Sequence, residues 1–325
     1  MHKATRIVAI VLAVVVLAIP FSASPFLTDL LFRTALLGII AVSWNMMASA
    51  GLISLGHSAF WGMGAYTAIL VANKLGLGFL PSLVCATLAG ALLGAGLALI
   101  TGRLQGIYFA ICTLAVSEGL RVIAVMLPDL TGGAQGQYLN AKLVPATLYI
   151  DLAGSIGLVF VGWLAWYIST TRYQYAFRAM RANEHAAQML GIRPLVYRIF
   201  IVTLSGGMAS FAGGASAWYG GYLDPSIAFS LHTTIMAQIA PILGGIYTLS
   251  GPLLGTLLAT LLGEVTRTAL GSIEGAALLV YGIALVLCVI FLPQGFKGAV
   301  DDWMRRRRKA TAARAAPAAT KEEAS

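Results

Sequence analysis

Four charged side chains stand inside apolar runs at a spacing that lets them neutralise one another. Glu118 and Arg121 are three apart in the run from about residue 105 to 127, and Glu264 and Arg267 repeat the spacing near the end of the run from about 253 to 269. Residues three apart on a helix are neighbours, so each pair lowers the cost of keeping a charge in hydrocarbon, and both are expected to be structural first. His57, flanked by Ser54 and Ser58, is another polar centre. A histidine at membrane depth faces either a wet cavity, where it touches solute, or the bundle, where it is simply hydrogen bonded; the second reading is favoured here. Gln238 and Pro241 form a further candidate for the translocation path: a proline inside a span kinks or interrupts the helix, freeing backbone groups to line a cavity beside Gln238. The alternative is a packing kink.

None of these groups is arranged to break bonds. The chain has no G-x-x-x-x-G-K-[ST] phosphate loop and so no sequence basis for holding ATP itself. Cys85, Cys112 and Cys288 are scattered without metal-ligand spacing, and no metal or other cofactor is expected. The residues offer binding and movement of a solute rather than enzymatic catalysis.

The elements that must position them are membrane helices. Charged residues make up 10% of the 325-residue chain and apolar residues 59%, whereas soluble domains carry roughly a quarter charged. In lipid every backbone polar group must be satisfied internally, so the expected fold is all-α, a polytopic transmembrane bundle. About ten spans are readable, near residues 7–21, 30–50, 58–73, 79–101, 105–127, 149–169, 197–218, 231–249, 253–269 and 275–292. The first is followed by Phe21-Ser22-Ala23-Ser24, which resembles a cleavage site, but a retained anchor is the preferred reading.

Charge sets the orientation. Most of the 21 Lys and Arg fall on alternate connections, and only Arg33, Lys74, Lys142 and Arg267 fall on the opposite set. The positive-inside rule then places both termini in the cytoplasm. Arg305 to Lys309 directly follow the last span, where they anchor it and attract anionic lipid, so nucleic acid is not an expected partner. The Ala-rich remainder of residues 301–325 has no apolar face and reads as a disordered tail appended to a permease domain of residues 1–300.

This orientation puts the one long polar, helix-compatible segment, Arg178 to Pro194, in a cytoplasmic loop of about residues 170–197. Phe177, Met180, Ala187, Leu190 and Gly191 lie along one side, and Arg178, Arg181, His185 and Gln188 along another. Gly191 suits a C-cap and Pro194 prevents continuation, so the loop reads as a short helix with a defined stop. It either lies on the membrane or packs under the bundle, or it docks a partner.

The run Arg178-Ala179-Met180-Arg181-Ala182-Asn183-Glu184-His185-Ala186-Ala187-Gln188-Met189-Leu190-Gly191-Ile192 resembles the coupling loop of bacterial branched-chain amino acid ABC transporter permeases. Gly51 to Ala68 is similar to that family's early-span signature. Further matches are Arg103 to Ile111 with Thr113-Leu114, Leu130-Thr131-Gly132-Gly133, Leu243-Gly244-Gly245 with Gly251-Pro252, and Leu292-Pro293-Gln294-Gly295. Gln174, Tyr175, Ala182, Met236, Gln238, Pro241 and Tyr247 depart from the usual pattern.

The resemblance implies that Arg178, Arg181, Asn183, Glu184, Ala186, Ala187 and Gly191 form the loop that engages an ATPase. It also implies a second homologous permease, two cytoplasmic ATPase subunits that hydrolyse the ATP, a periplasmic solute-binding protein and residence in the bacterial inner membrane. The implied cargo is a branched-chain amino acid or a related small solute such as urea, an amide or an aromatic acid. The alternative is an ion-coupled secondary transporter, which would want a span carboxylate without a cationic neighbour; Glu118 and Glu264 both have one.

Overall fold

The computed structural model describes residues 24–270, 276–291 and 295–298, together with Leu17, Pro20 and Phe21. Eleven helices carry the architecture among them: α1 (Pro25–Ser49), α2 (His57–Leu75), α3 (Phe79–Ile100), α4 (Ile107–Met126), α5 (Thr147–Thr170), α6 (Arg172–Ala182), α7 (Glu184–Met189), α8 (Pro194–Gly220), α9 (Leu231–Gly244), α10 (Gly251–Leu270) and α11 (Ala276–Phe291). The chain is an all-α bundle, and the expected spans near residues 30–50, 58–73, 79–101, 105–127, 149–169, 197–218, 253–269 and 275–292 each coincide with a helix. Among the described residues, six helical stretches are long and apolar enough to cross a membrane: α1, α3, α4, α5, α8 and the stretch Pro225–Gly244. The expected span at 7–21 lies almost wholly outside the described residues, as does the 301–325 tail.

The eighth expected span, residues 231–249, is corrected. The helix α9 ends at Gly244 and runs 14 residues, about 21 Å, and a separate single turn, Pro225–Ala228, precedes it. The break falls at Phe229 and Ser230, not at Pro241, because Ser230 caps α9 by accepting the His232 N–H at 3.2 Å.

The core forms around α8, which packs along α2, α3 and α1. Small residues bring the backbones together: a Cβ at Gly64 would stand 2.0 Å from the Ser210 carbonyl oxygen of α8, and one at Gly90 of α3 would collide with the Ser210 side chain. This is the close approach that small residues permit where lipid supplies no hydrophobic drive between helices. Trp44, Trp218, Phe32 and Phe60 fill the larger gaps and are fully buried. The Gly244-Gly245 and Gly251-Pro252 motifs have a similar use, since a Cβ at Gly244 would meet the Gly251 carbonyl at 1.8 Å and seal off the tight α9–α10 hairpin.

Connections gather on two faces. On one, β1 (Gln137–Tyr138) pairs antiparallel with β2 (Tyr222–Leu223), and Asn73 at the end of α2 donates to the Tyr138 carbonyl at 2.9 Å. On the other, the α3–α4 connection meets the α5–α8 connection, because Gln105 donates to Glu184 at 2.8 Å, and Arg198 in the first turns of α8 donates to the carbonyls of Gly102 and Leu104 at 3.2 and 2.6 Å. The Lys and Arg count divided the connections into these same two groups.

Candidate functional site

The α5–α8 connection is two helices rather than the single short helix expected. Asn183 is extended (φ −163°, ψ 113°) and its side chain accepts the Ala186 N–H at 3.1 Å, ending α6 and starting α7. An asparagine competes well for a helix N-cap, which is why the break falls there. Leu190 closes α7, Gly191 follows in the left-handed conformation at φ +80°, and Pro194 opens α8 at its first turn. The expected inner face also needs correction. Phe177, Met180 and Ala187 are buried, but Leu190 is 77% exposed and its neighbour Met189 is 89% exposed. Because the helix restarts at Asn183, periodicity carried across it places Leu190 on the wrong side. Arg178, Asn183, Ala186 and Gly191 are exposed with them.

Two contacts tie this segment to the bundle. Glu184 accepts from Arg198 Nη2 of α8 at 2.5 Å and from Gln105 Nε2 at 2.8 Å. Arg198 is 4% exposed, so Glu184 completes a nearly buried cluster joining α7, α8 and the α3–α4 connection. Arg181 reaches the other way: its backbone would be 3.3 Å from a Cβ at Gly51, which has φ +83°, and its guanidinium lies 3.9 Å from the centroid of the Tyr247 ring. Tyr247 holds φ +65° and donates its N–H to Asn45 Oδ1 at 2.8 Å, while Asn45 Nδ2 donates to the Thr248 carbonyl at 2.9 Å. Beside this link a cleft of about 40 Å³ is lined by Asn45, Ser49, Gln174, Phe177, Tyr247 and Thr248 among others. Its lining mixes these polar groups with apolar side chains such as Val42, Met46 and Ile168, and it is roomy enough for water.

Ser54, His57 and Ser58 come together in a buried polar junction, all three 2% exposed or less. His57 Nε2 lies 3.0 Å from Ser43 Oγ and 3.3 Å from Ser205 Oγ. Both hydroxyls give their own hydrogens to carbonyls, Ser43 to Ile40 and Ser205 to Ser43. The pattern therefore assigns the ring hydrogen to Nε2 and leaves Nδ1, which has no partner among the described residues, as an acceptor. Ser58 donates its N–H to Thr234 Oγ1 at 2.9 Å and shares a 2.8 Å hydroxyl contact with Ser117, joining α2 to α9 and α4. Gln238 is half-buried one turn beyond Thr234 on the same side of α9, and Pro241 is buried within a helix that continues past it.

The charge pairs form as spaced: Arg121 to Glu118 at 2.8 Å and Arg267 to Glu264 at 2.5 Å. Sequence reasoning missed Asp151. It lies on α5, is 4% exposed, and its Oδ1 has no hydrogen-bond partner among the described residues. It adds a buried carboxylate to Glu118 and Glu264, whose cationic neighbours the three-residue spacing supplies. Ser43, Ser117, Ser205 and Thr234 were also overlooked, because a lone hydroxyl in an apolar run carries no periodic or motif signal until another helix supplies its partner.

A family model described as the branched-chain amino acid transport system permease component matches residues 26–289. The high-affinity branched-chain amino acid transport system permease protein LivM of Salmonella typhimurium is 27% identical over 315 residues, covering 87% of this chain and 73% of that protein. LivM of Escherichia coli is 26% identical over 89% of this chain and 74% of its own length. The autoinducer 2 import system permease protein LsrC of Yersinia pseudotuberculosis is 28% identical over 271 residues, 81% of this chain and 70% of that protein. No solved structure matches the chain.

Proposed function

The chain belongs to the permease family of branched-chain amino acid transport systems, and we propose that it is one permease subunit of an ATP-driven importer in the bacterial inner membrane. A second homologous permease completes the translocation path. Two ATPase subunits bind and hydrolyse ATP on the cytoplasmic face, and a periplasmic binding protein delivers the solute. The solute is a branched-chain amino acid or another small polar molecule; the similarity to a permease named for autoinducer 2 import widens that class.

The observation that carries this reading is the exposed end of α7. Met189 and Leu190 point away from a segment braced at its α6–α7 junction, by Glu184 on Arg198 and by Arg181 on Tyr247. Large apolar side chains held out on a braced polar segment suit insertion into a partner's groove. The same bracing carries a push on α7 into α8 and into the Gly245–Ser250 connection that ends α9. Met189→Asp with Leu190→Asp should abolish co-purification of the ATPase and ATP-driven uptake, while membrane insertion and thermal stability stay unchanged. Burial of each side chain is worth about 1.5–3 kcal/mol, so losing one should weaken docking roughly tenfold to a hundredfold. Normal uptake by the double variant would overturn the docking assignment.

Asp151 favours one other reading, an ion-coupled carrier, since a buried carboxylate with no cationic partner among the described residues is what such a carrier uses. Uptake into liposomes containing the chain alone, driven by a proton or sodium gradient and lost in Asp151→Asn, would replace the ATP-driven reading.

A further inference from the structure

Several helices expose long stripes on the outside of the bundle, and those of α3 and α4 differ in kind. On α3 the exposed residues Leu80, Val84, Leu88 and Leu92 recur every four positions, all apolar and branched. That is the composition of a face turned to lipid. On α4 the exposed stripe is Tyr108, Ile111, Ala115, Gly119 and Val122, and a Cβ at Gly119 would meet nothing within 4 Å.

Beside the small residues stands the Glu118–Arg121 pair, with side chains 46% and 40% exposed. At 1.5 Å per residue, Glu118 lies about 16 Å and Arg121 about 21 Å along α4 from Ile107. Both are therefore within the hydrocarbon layer rather than at its edges. Only Arg121 Nε and Glu118 Oε2 are engaged with each other. No other hydrogen bond from Arg121 or to Glu118 occurs among the described residues, so the terminal guanidinium nitrogens and Glu118 Oε1 are left for a polar neighbour. Hydrocarbon cannot supply one, and charged side chains within membranes face protein or a wet cavity.

We propose that this α4 face is the surface that meets the second permease, with Ala115 and Gly119 letting the facing helix approach and the Glu118–Arg121 pair satisfied by polar groups that the partner presents. The inference rests on the reading that two permeases assemble, and it adds which face of this chain they share. The occupant is another membrane-spanning permease, because the stripe runs over most of the height of a spanning helix and combines small residues with outward-facing donors and an acceptor.

The test is site-specific photo-cross-linking in native membranes. A benzophenone side chain is placed at Tyr108 or Val122 on α4, and for comparison at Leu88 or Leu92 on α3, and the adducts are identified by mass spectrometry. Tyr108 and Val122 flank the small residues, so the probe enlarges the edges of the contact and leaves its centre intact. The expected result is an adduct with a permease of this family, a second copy or a homologue, from both α4 positions and at least ten times the yield from α3, where lipid adducts dominate. If a second permease co-purifies with the unsubstituted chain but the α4 positions yield lipid, or the α3 positions yield the permease, the surface is wrong while the two-permease assembly stands. If no second permease co-purifies, the assembly reading and this surface fail together.

Discussion

The Glu184–Arg198 pair offers the sharpest test of how the α6–α7 segment is held. Its side chains are 14% and 5% exposed, and Arg198 Nη1 also bonds the carbonyls of Gly102 and Leu104. Glu184→Ala would leave a buried guanidinium supported by two neutral carbonyls. Breaking one side of a buried pair costs about 3–5 kcal/mol, and the surviving carbonyl bonds put the expected loss near the lower end, about 3 kcal/mol. Arg198→Met would leave Glu184 with Gln105 Nε2 at 2.8 Å and with some solvent, so about 2 kcal/mol is expected. In the double variant neither charge is stranded, and the two losses should fall short of their sum by roughly 2 kcal/mol. The assay is reversible unfolding of the four proteins in mixed micelles of mild detergent and dodecyl sulfate. Additivity to within about 0.5 kcal/mol would refute the claim that the pair acts as a unit. A substitution such as Glu184→Lys would disturb this brace before it disturbed any docking surface, which is why exposed Met189 and Leu190 are the cleaner probes of docking.

Gly64→Ala should destabilise the chain by about 2 kcal/mol or more, because the new Cβ would lie 2.0 Å from the Ser210 backbone of α8. Gly162→Ala, where nothing lies within 4 Å, should cost nothing in the same unfolding measurement. Asp224 caps the Pro225–Ala228 turn, accepting from the N–H groups of Ser226 and Ile227 at 2.7 and 2.9 Å. Burial pushes its carboxyl up, but the bonds from the Ser226 hydroxyl and the two N–H groups outweigh that and hold it below the ordinary value of 3.8. A lowered carboxyl stabilises above its unfolded pKa and loses the contribution as pH falls through the folded value. Asp224→Ala should therefore cost about 1 kcal/mol at pH 7, with the gap to the parent chain narrowing in thermal unfolding scans as pH falls below 3.8.

The amino-acid sequence by itself determined that this is a bundle of apolar helices, roughly where they lie and which connections share a face. Those features follow from local quantities: run lengths, the scarcity of charge, and the count of Lys and Arg on alternate loops. It also determined the charge pairs Glu118–Arg121 and Glu264–Arg267, since three residues along a helix suffice to place one side chain beside the other. The tertiary structure decided what depends on a second helix. Asn183 divides the segment between α5 and α8, and that moves Leu190 from the packed side to the exposed one. Arg198, counted in the sequence as one more cytoplasmic charge, becomes the buried anchor of Glu184 only because the α3–α4 connection folds over it. His57 finds Ser43 and Ser205 from positions 14 and 148 residues away, whereas buried Asp151 has no partner for its Oδ1 among the described residues. Hydrogen bonding is short-ranged and directional, so which polar groups meet inside an apolar bundle is fixed by helix packing and leaves no periodic trace in the chain.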